Sequence, residues 1–218
     1  MDLVRLGSPA WPLREYVRFY AHREVRVWGT AVVHPVPARA FPILEFVFRD
    51  RIRVLSPDPS RVQMSPRAVV VGLQTHCRSR LQFQGQVECF VIMFQPTGLH
   101  RLFSTPPDQL TDRAYDAHSV LGGFIAQLEQ RLGDTQDFGQ RVRIADQVML
   151  HYSLRACSLD RISAAVSHTL SVSGNVRIPG LARDAGLSVR QFERSFAQQV
   201  GRASQIIRAN CEIRSSAR

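Results

Sequence analysis

The stretch "RIPGLARDAGLSVRQFERSFAQQVG", residues 177–201, decides how this chain is read. Ile178, Leu181, Ala182 and Ala185 recur at three- and four-residue spacing, so they share one side of a short helix. Gly186 follows where a helix stop asks for a left-handed residue, a conformation glycine adopts without steric cost. Leu187 plugs the junction, and Ser188 stands where its hydroxyl can accept from an orphan amide of a second helix. On that helix, at about 100° per residue, Val189, Phe192, Phe196 and Val200 fall on one side. Arg190, Glu193, Arg194 and Ala197 fall on the other. Ala185 is small enough for the two helices to cross closely. A short turn, a small residue at the crossing and a basic outer face together predict a helix-turn-helix.

That outer face carries chemistry. Arg190 and Arg194 are four residues apart, and each can fork onto a guanine edge for about 1–3 kcal/mol of base discrimination. Glu193 can accept from a cytosine amino group. The candidate DNA-binding set is Ser188, Arg190, Gln191, Glu193 and Arg194. A generic helical hairpin with a solvated face gives the same spacing, so spacing alone leaves both readings open.

Composition points the same way. The net charge is +10, and all 28 basic residues are arginine. Residues 157–218 hold nine arginines against four acidic residues, a net of +5. Residues 1–156 hold nineteen against fourteen, the same excess spread over a much longer segment. The C-terminal third is therefore the more basic per residue, as a nucleic-acid partner favours, and solvated surface arginines give the same asymmetry. No apolar run reaches the roughly 18–20 residues of a membrane span, and no leader-type segment opens the chain, so the expected location is the cytoplasm. Cys77, Cys89, Cys157 and Cys211 are scattered, with no C-x-x-C pair, and read as reduced thiols.

Upstream the period changes. Short runs, "VWGTAVVH" (27–34), "ILEFVF" (43–48), "IRVL" (52–55), "AVVVGLQ" (68–74) and "VECFVIMF" (87–94), are separated mostly by Pro, Gly, Ser or Asp. They predict a compact β-sandwich or barrel. A short helix is expected after Pro96-Thr97-Gly98. From Ala117, Val120, Leu121, Phe124, Ile125, Leu128 and Leu132 share one helical face, with Gly133 as its cap. A second helix is expected over about residues 138–155, with Phe138, Val142, Ala145, Val148, Met149 and Tyr152 inward.

The segment 181–201 resembles the first helix-turn-helix of the AraC/XylS family of bacterial transcription regulators. The shared residues are Leu181-Ala182, Ala185-Gly186, Ser188, Arg190, Phe192, Arg194, Phe196 and Val200-Gly201. The helix expected around "LDRISAAVSHTL" and Gly174 fit as well. "FQPTGLHRLFSTPPDQLTDRAYDAHSVLG" resembles the end of the sensing domain in one branch of that family, so the likeness spans about residues 14–201. It implies that Arg190, Glu193 and Arg194 face DNA bases. The expected fold class is α+β: a β-barrel or cupin-like sensing and dimerisation domain over residues 1–110, a helical connector over 111–156, and an all-α helix-turn-helix region over 157–218. The expected partners are double-stranded DNA, a small-molecule effector and a second copy of the chain, with no membrane and no cofactor.

After Gly201 the sequence departs from that family. Its members continue with a linking helix of the type ARIxRFxxAL and a second helix-turn-helix; this chain reads "RASQIIRANCEIRSSAR". Read one base later, the codon sets for Gln205–Arg218 permit "KLYARIARFEAAL", the linking helix in register after Ser204. A frameshift just after Ser204 and a truncated DNA-binding region are therefore expected. A divergent natural C-terminus is the alternative origin of the tail. The alternative function is a sensor or dimerisation protein that no longer binds operator DNA.

Enzyme classes find little support. The seven histidines, His22, His34, His76, His100, His118, His151 and His168, form no H-x-H pair. His76-Cys77 with Cys89 is a weak metal pattern that ordinary buried or surface residues reproduce. G-x-S-x-G, phosphate-loop and H-E-x-x-H motifs are lacking, so no enzymatic activity is expected. Glu45 and Glu88 sit in strand-like runs, where one can face a cavity or both can be paired.

Overall fold

The computed structural model describes residues 2–56, 58, 62–77, 79–156, 164–165 and 178–200. Its spine is a long antiparallel pair, β2 (Val17–Pro35) and β7 (Arg80–Phe94), paired from Val17↔Phe94 to Pro35↔Arg80 with a first register shift between Val17 and Phe19. Val, Ile and Phe supply the branched and aromatic side chains that suit a pleated surface. The pair shifts register between Val27 and Val32, where Gly29 takes φ +99°.

Six further strands complete the sheet: β1 (Asp2–Gly7), β3 (Ile43–Arg49), β4 (Arg53–Leu55), β5 (Val62–Met64), β6 (Ala68–Val71) and β8 (Ala114–Asp116). The main order is β1-β2-β7-β3-β6-β8, with β4 and β5 as a side branch. All the pairings are antiparallel. Among the described residues β1 and β8 do not pair, so in place of the expected barrel there is an open sheet. The reason is local: β8 spans three residues before the chain turns into a helix, leaving no edge for β1.

Seven α-helices have both ends among the described residues: α1 (Gly98–Phe103), α2 (Pro107–Leu110), α3 (Ala117–Leu121), α4 (Phe124–Gly133), α5 (Phe138–Ser153), α6 (Ile178–Asp184) and α7 (Val189–Val200). The single helix expected from Ala117 is two. Gly122 at φ +91° and Gly123 break it, and α4 restarts at Phe124. The sheet reaches Asp116, and α4 and α5 share its core.

Strand alternation gives the sheet two unlike faces. Tyr20, Leu44, Phe46, Val70, Phe90, Ile92 and Phe94 point to the helix-covered face and are fully buried. They pack with Leu99 of α1, Ile125, Leu128 and Leu132 of α4, and Ala145 and Met149 of α5. Each such side chain contributes about 1.5–3 kcal/mol of apolar burial.

The opposite face is only partly covered. Direct partners place Leu6, Ala21, Val91, Glu45 and Val69 in one row across five strands. The next row on that face holds Phe19, Met93, Ile43 and Val71. Leu6 remains 67% exposed. At the far end Ile52 and Phe83 close over Val25, Val47, Val87 and Cys89.

The buried charges lie where helices meet sheet. Arg141 of α5 is 1% exposed, and its Nε donates to the carbonyls of Leu132 and Thr135, both at 2.9 Å. Its Nη1 donates to Glu88 Oε1 at 2.5 Å and to His22 Nδ1 at 3.2 Å. Its guanidinium carbon stands 4.4 Å from the centre of the Phe48 ring. One side chain thus caps the end of α4, pins α5 and neutralises a carboxylate of β7.

Candidate nucleic-acid interface

The site begins with the stop of α6. The Gly186 amide donates to the Arg183 carbonyl and the Leu187 amide to the Ala182 carbonyl, both at 2.9 Å. These paired bonds form a Schellman stop, with Gly186 at φ +65° in the left-handed position. Leu181, Ala182 and Ala185 are buried beneath the turn, and Leu187 packs against them.

Ser188 then caps α7. Its Oγ accepts from the Gln191 amide at 3.3 Å, and Gln191 Oε1 accepts from the Ser188 amide at 3.1 Å. This reciprocal arrangement is a capping box. Gln191, placed in the DNA-facing set from sequence, has its side-chain carbonyl engaged at this cap.

Phe192 and Phe196 are buried, their rings 5.6 Å apart. Arg190, Glu193 and Arg194 are exposed. Val189 was expected inward but is 41% exposed, because the first helical residue still lies outside the crossing. The side chains of Ile178, Ala197 and Val200 lie outside the described residues. Of the helix expected around 159–170, residues 164–165 are described; they are helical, and Ala165 is buried in the cluster beneath α6 and α7. Gly174, Cys157, His168 and the whole tail from Gly201, including Cys211 and the proposed frame change, lie outside the described residues.

The helix pair stands on the sheet. Ala40 and Leu73 belong to the same buried cluster as Leu181, Ala182, Ala185, Phe192 and Phe196. α7 also packs beside α2. The platform is tied internally. Arg39 and Gln74 exchange backbone hydrogen bonds at 2.9 Å, and Asp112 accepts from the Thr75 amide at 2.6 Å and from the Thr75 hydroxyl at 2.5 Å. Gly72 permits the close approach of α2, since a Cβ there would strike the Leu110 carbonyl.

A second polar group gathers around Arg39, in the segment between β2 and β3. Arg39 Nε donates to the Phe41 carbonyl at 3.1 Å, while its buried Nη2 has no hydrogen-bond partner. Among the described residues it is the one buried side-chain nitrogen or oxygen so left. Burial lowers the Arg39 pKa to about 10, against the opposing pull of Glu45. Burial raises Glu45, although Arg39, the Cys89 thiol and Arg23 each favour its charged form. Cys89 is pushed well up by burial and by Glu45. Glu88 goes the other way: burial opposes its charge, but hydrogen bonds from Arg141 and Arg49 prevail and hold it below the ordinary carboxylate value. The two strand carboxylates therefore differ in kind: Glu88 is held as an anion by Arg141 and Arg49, while burial dominates at Glu45 on the opposite face of the sheet. Sequence spacing carried no signal for Arg39 or Arg141, whose partners depend on the folded sheet.

Among the described residues no three His, Cys, Asp or Glu side chains converge as a metal site, and no helix is long and apolar enough to cross a membrane.

Comparison with known proteins gives one family. The model for a domain of unknown function, DUF6597, matches residues 7–116. No curated protein matches the chain. Among solved structures, ToxT from Vibrio cholerae is similar at 9% identity and a TM-score of 0.31, covering 94% of this chain and 97% of that one. The AraC-like transcriptional activator CuxR is similar at 14% identity and a TM-score of 0.35, covering 99% of this chain and 87% of that one. Overlaps this loose fix neither fold nor function.

Proposed function

The chain belongs to the DUF6597 family, whose description assigns no activity, and we propose from its site that it is a sequence-specific DNA-binding transcription regulator of the AraC type. One observation carries the reading: α7 presents Arg190, Glu193 and Arg194 outward while Phe192 and Phe196 anchor it inward. Its contact with α2, Ala40 and Leu73 leaves that outer face open to a groove. The Val189 and Arg190 amides at the capped start of α7 suit a phosphate oxygen. The β-rich part serves as the sensor for a small-molecule effector and as the surface for a second copy. No enzymatic step belongs to this reading.

The described residues contain one such reader. A single module buries roughly 600–1,000 Å² of protein surface. Binding is therefore weak and steeply dependent on salt, since counterion release supplies most of it. A gel-shift assay on randomised duplex DNA tests this, with Arg190→Ala plus Arg194→Ala as the control. Micromolar, salt-sensitive binding is expected, with base preference lost in the double variant. Equal preference in the double variant overturns the assignment of the reader. Nanomolar specific binding at physiological salt overturns the single-reader account. No DNA binding by the unaltered chain leaves the sensor protein that does not engage operator DNA.

A further inference from the structure

We propose that the cavity between α1, α2, β8 and α3 binds an uncharged, flat cyclic amide. The inference rests on the reading of the chain as a regulator with a small-molecule effector, and supplies the class of that effector and its place. The cavity has a volume of about 420 Å³, within the range that ligand sites occupy. It forms where the chain leaves α1, turns through α2 and returns by β8 into α3.

Among the described residues no charged side chain lines it. An ionised ligand would give up water without gaining a counter-charge, a loss that a neutral one avoids. The charges that flank the wall in sequence are already engaged. Arg113 Nη1 donates to the Tyr115 hydroxyl at 3.0 Å, and Asp116 Oδ1 accepts from the Ser119 amide at 3.1 Å.

Those contacts also fix what the wall offers. A tyrosine hydroxyl has one proton to give. Because Tyr115 accepts from Arg113, that proton is left for a ligand acceptor. Ser119 Oγ donates toward Asp116 Oδ1 at 3.5 Å, which leaves the serine oxygen to accept. Gln109 of α2 carries both a donor and an acceptor on its side-chain amide. The complement is a group that presents an acceptor and a donor together. A cyclic amide does so: its carbonyl takes the tyrosine proton, and its N–H goes to the serine oxygen.

The rest of the wall is apolar, supplied by Phe103, Pro106, Leu110 and Val120. A flat ring suits it, since a ring can stack on Phe103 or meet it edge-on. A rigid body also loses no torsional freedom on binding.

The cavity shares α2 with the helix pair. Gln109 and Leu110 line the cavity from α2, and α7 packs beside the same helix. A ligand resting on α2 therefore bears on an element that α7 also touches. By linkage, any effect of the ligand on DNA affinity equals the effect of DNA on ligand affinity.

The test is calorimetric titration of the full chain with three flat probes of similar size. Carbostyril is a neutral cyclic amide, quinoline keeps an acceptor but has no N–H, and quinaldate carries a carboxylate. Carbostyril is expected to bind at least about threefold more tightly than quinoline and about tenfold more tightly than quinaldate. Tyr115→Phe should weaken carbostyril and quinoline alike, by about three- to tenfold, the worth of one neutral hydrogen bond. Ser119→Ala should weaken carbostyril by a similar factor and leave quinoline unchanged. Ser119 is exposed, so its variant decides the matter if Tyr115→Phe fails to fold. Amide exchange in α2 should slow when carbostyril is bound. No carbostyril binding, equal binding of quinaldate, unchanged affinity in both variants, or unchanged exchange in α2 overturns the proposal. DNA binding is measured separately by gel shift. Carbostyril binding without DNA binding sinks the regulator reading and keeps this site; DNA binding without carbostyril binding does the reverse.

Discussion

Replacing Glu88 by leucine should destabilise the protein more than changes at the turn and cap of the α6–α7 pair. In the native chain Arg141 is sealed at the junction of α4, α5 and β7, with Glu88 Oε1 as its counter-charge at 2.5 Å. Removing one member of a buried ion pair costs about 3–5 kcal/mol, because the other charge is left without compensation. Against a total stability of roughly 5–15 kcal/mol, that is a large fraction. The reciprocal change, Arg141→Met, is milder at about 1–3 kcal/mol. Glu88 would keep Arg49, whose Nε lies 2.9 Å away and which is 42% exposed and so partly solvated. The double variant Glu88→Leu/Arg141→Met buries no charge and should lose at least about 2 kcal/mol less than the two single losses summed, as coupled neighbours do. It will not return fully to the native value, since the Leu132 and Thr135 carbonyls lose their donor. Urea unfolding followed by far-UV circular dichroism reads all three. The pH dependence gives a second check. The folded Glu88 pKa lies below its ordinary value of 4.5, so its contribution is complete above that value and is lost as pH falls through the folded one. That acid-side loss should vanish in Glu88→Leu. Strict additivity, or a Glu88→Leu loss below about 1 kcal/mol, refutes the account of Arg141 as a clamp that depends on its counter-charge.

Two smaller changes probe the α6–α7 pair. Ser188→Ala should cost about 1 kcal/mol by opening the cap, seen as faster amide exchange in the first turn of α7. Combining it with Gln191→Ala should add little, because the two side chains serve one capping box. Gly186→Ala forces a Cβ into a left-handed position at φ +65° and should cost roughly 1–2 kcal/mol, measured as a lowered melting temperature with the outer face of α7 unaltered.

The α6–α7 pair was legible because its determinants are local. Gly186, Ser188 and the phenylalanine spacing act within one or two helical turns, and period and turn chemistry follow from neighbours in sequence. Val189 departs from that pattern where local period stops being enough: the first residue of α7 precedes the crossing, so no neighbouring helix covers it. The sheet was half legible for a related reason. Runs such as 43–48 and 87–94 show their branched and aromatic composition directly. β1, "DLVRLG", β5 and β8 are short edge or branch strands whose pairing is set by distant partners, so composition alone does not reveal them.

Charge was the least legible feature, and that has a physical cause. Arg141 lies on α5 among residues of ordinary helical spacing, and nothing nearby predicts its burial; its counter-ion is 53 positions away. The two strand carboxylates are equivalent in sequence context, yet one is stabilised as an anion by two arginines and the other is raised by burial. Alternation settles which side each faces only once the register is known: Glu88 opposes Glu24 and Phe48, whereas Glu45 opposes Val91 and Val69. A one-residue slip of β3 would exchange those environments, moving Glu45 to the helix-covered side and stranding Arg39 without any carboxylate. The register of β3 against β7 is thus what gives the two carboxylates their different partners.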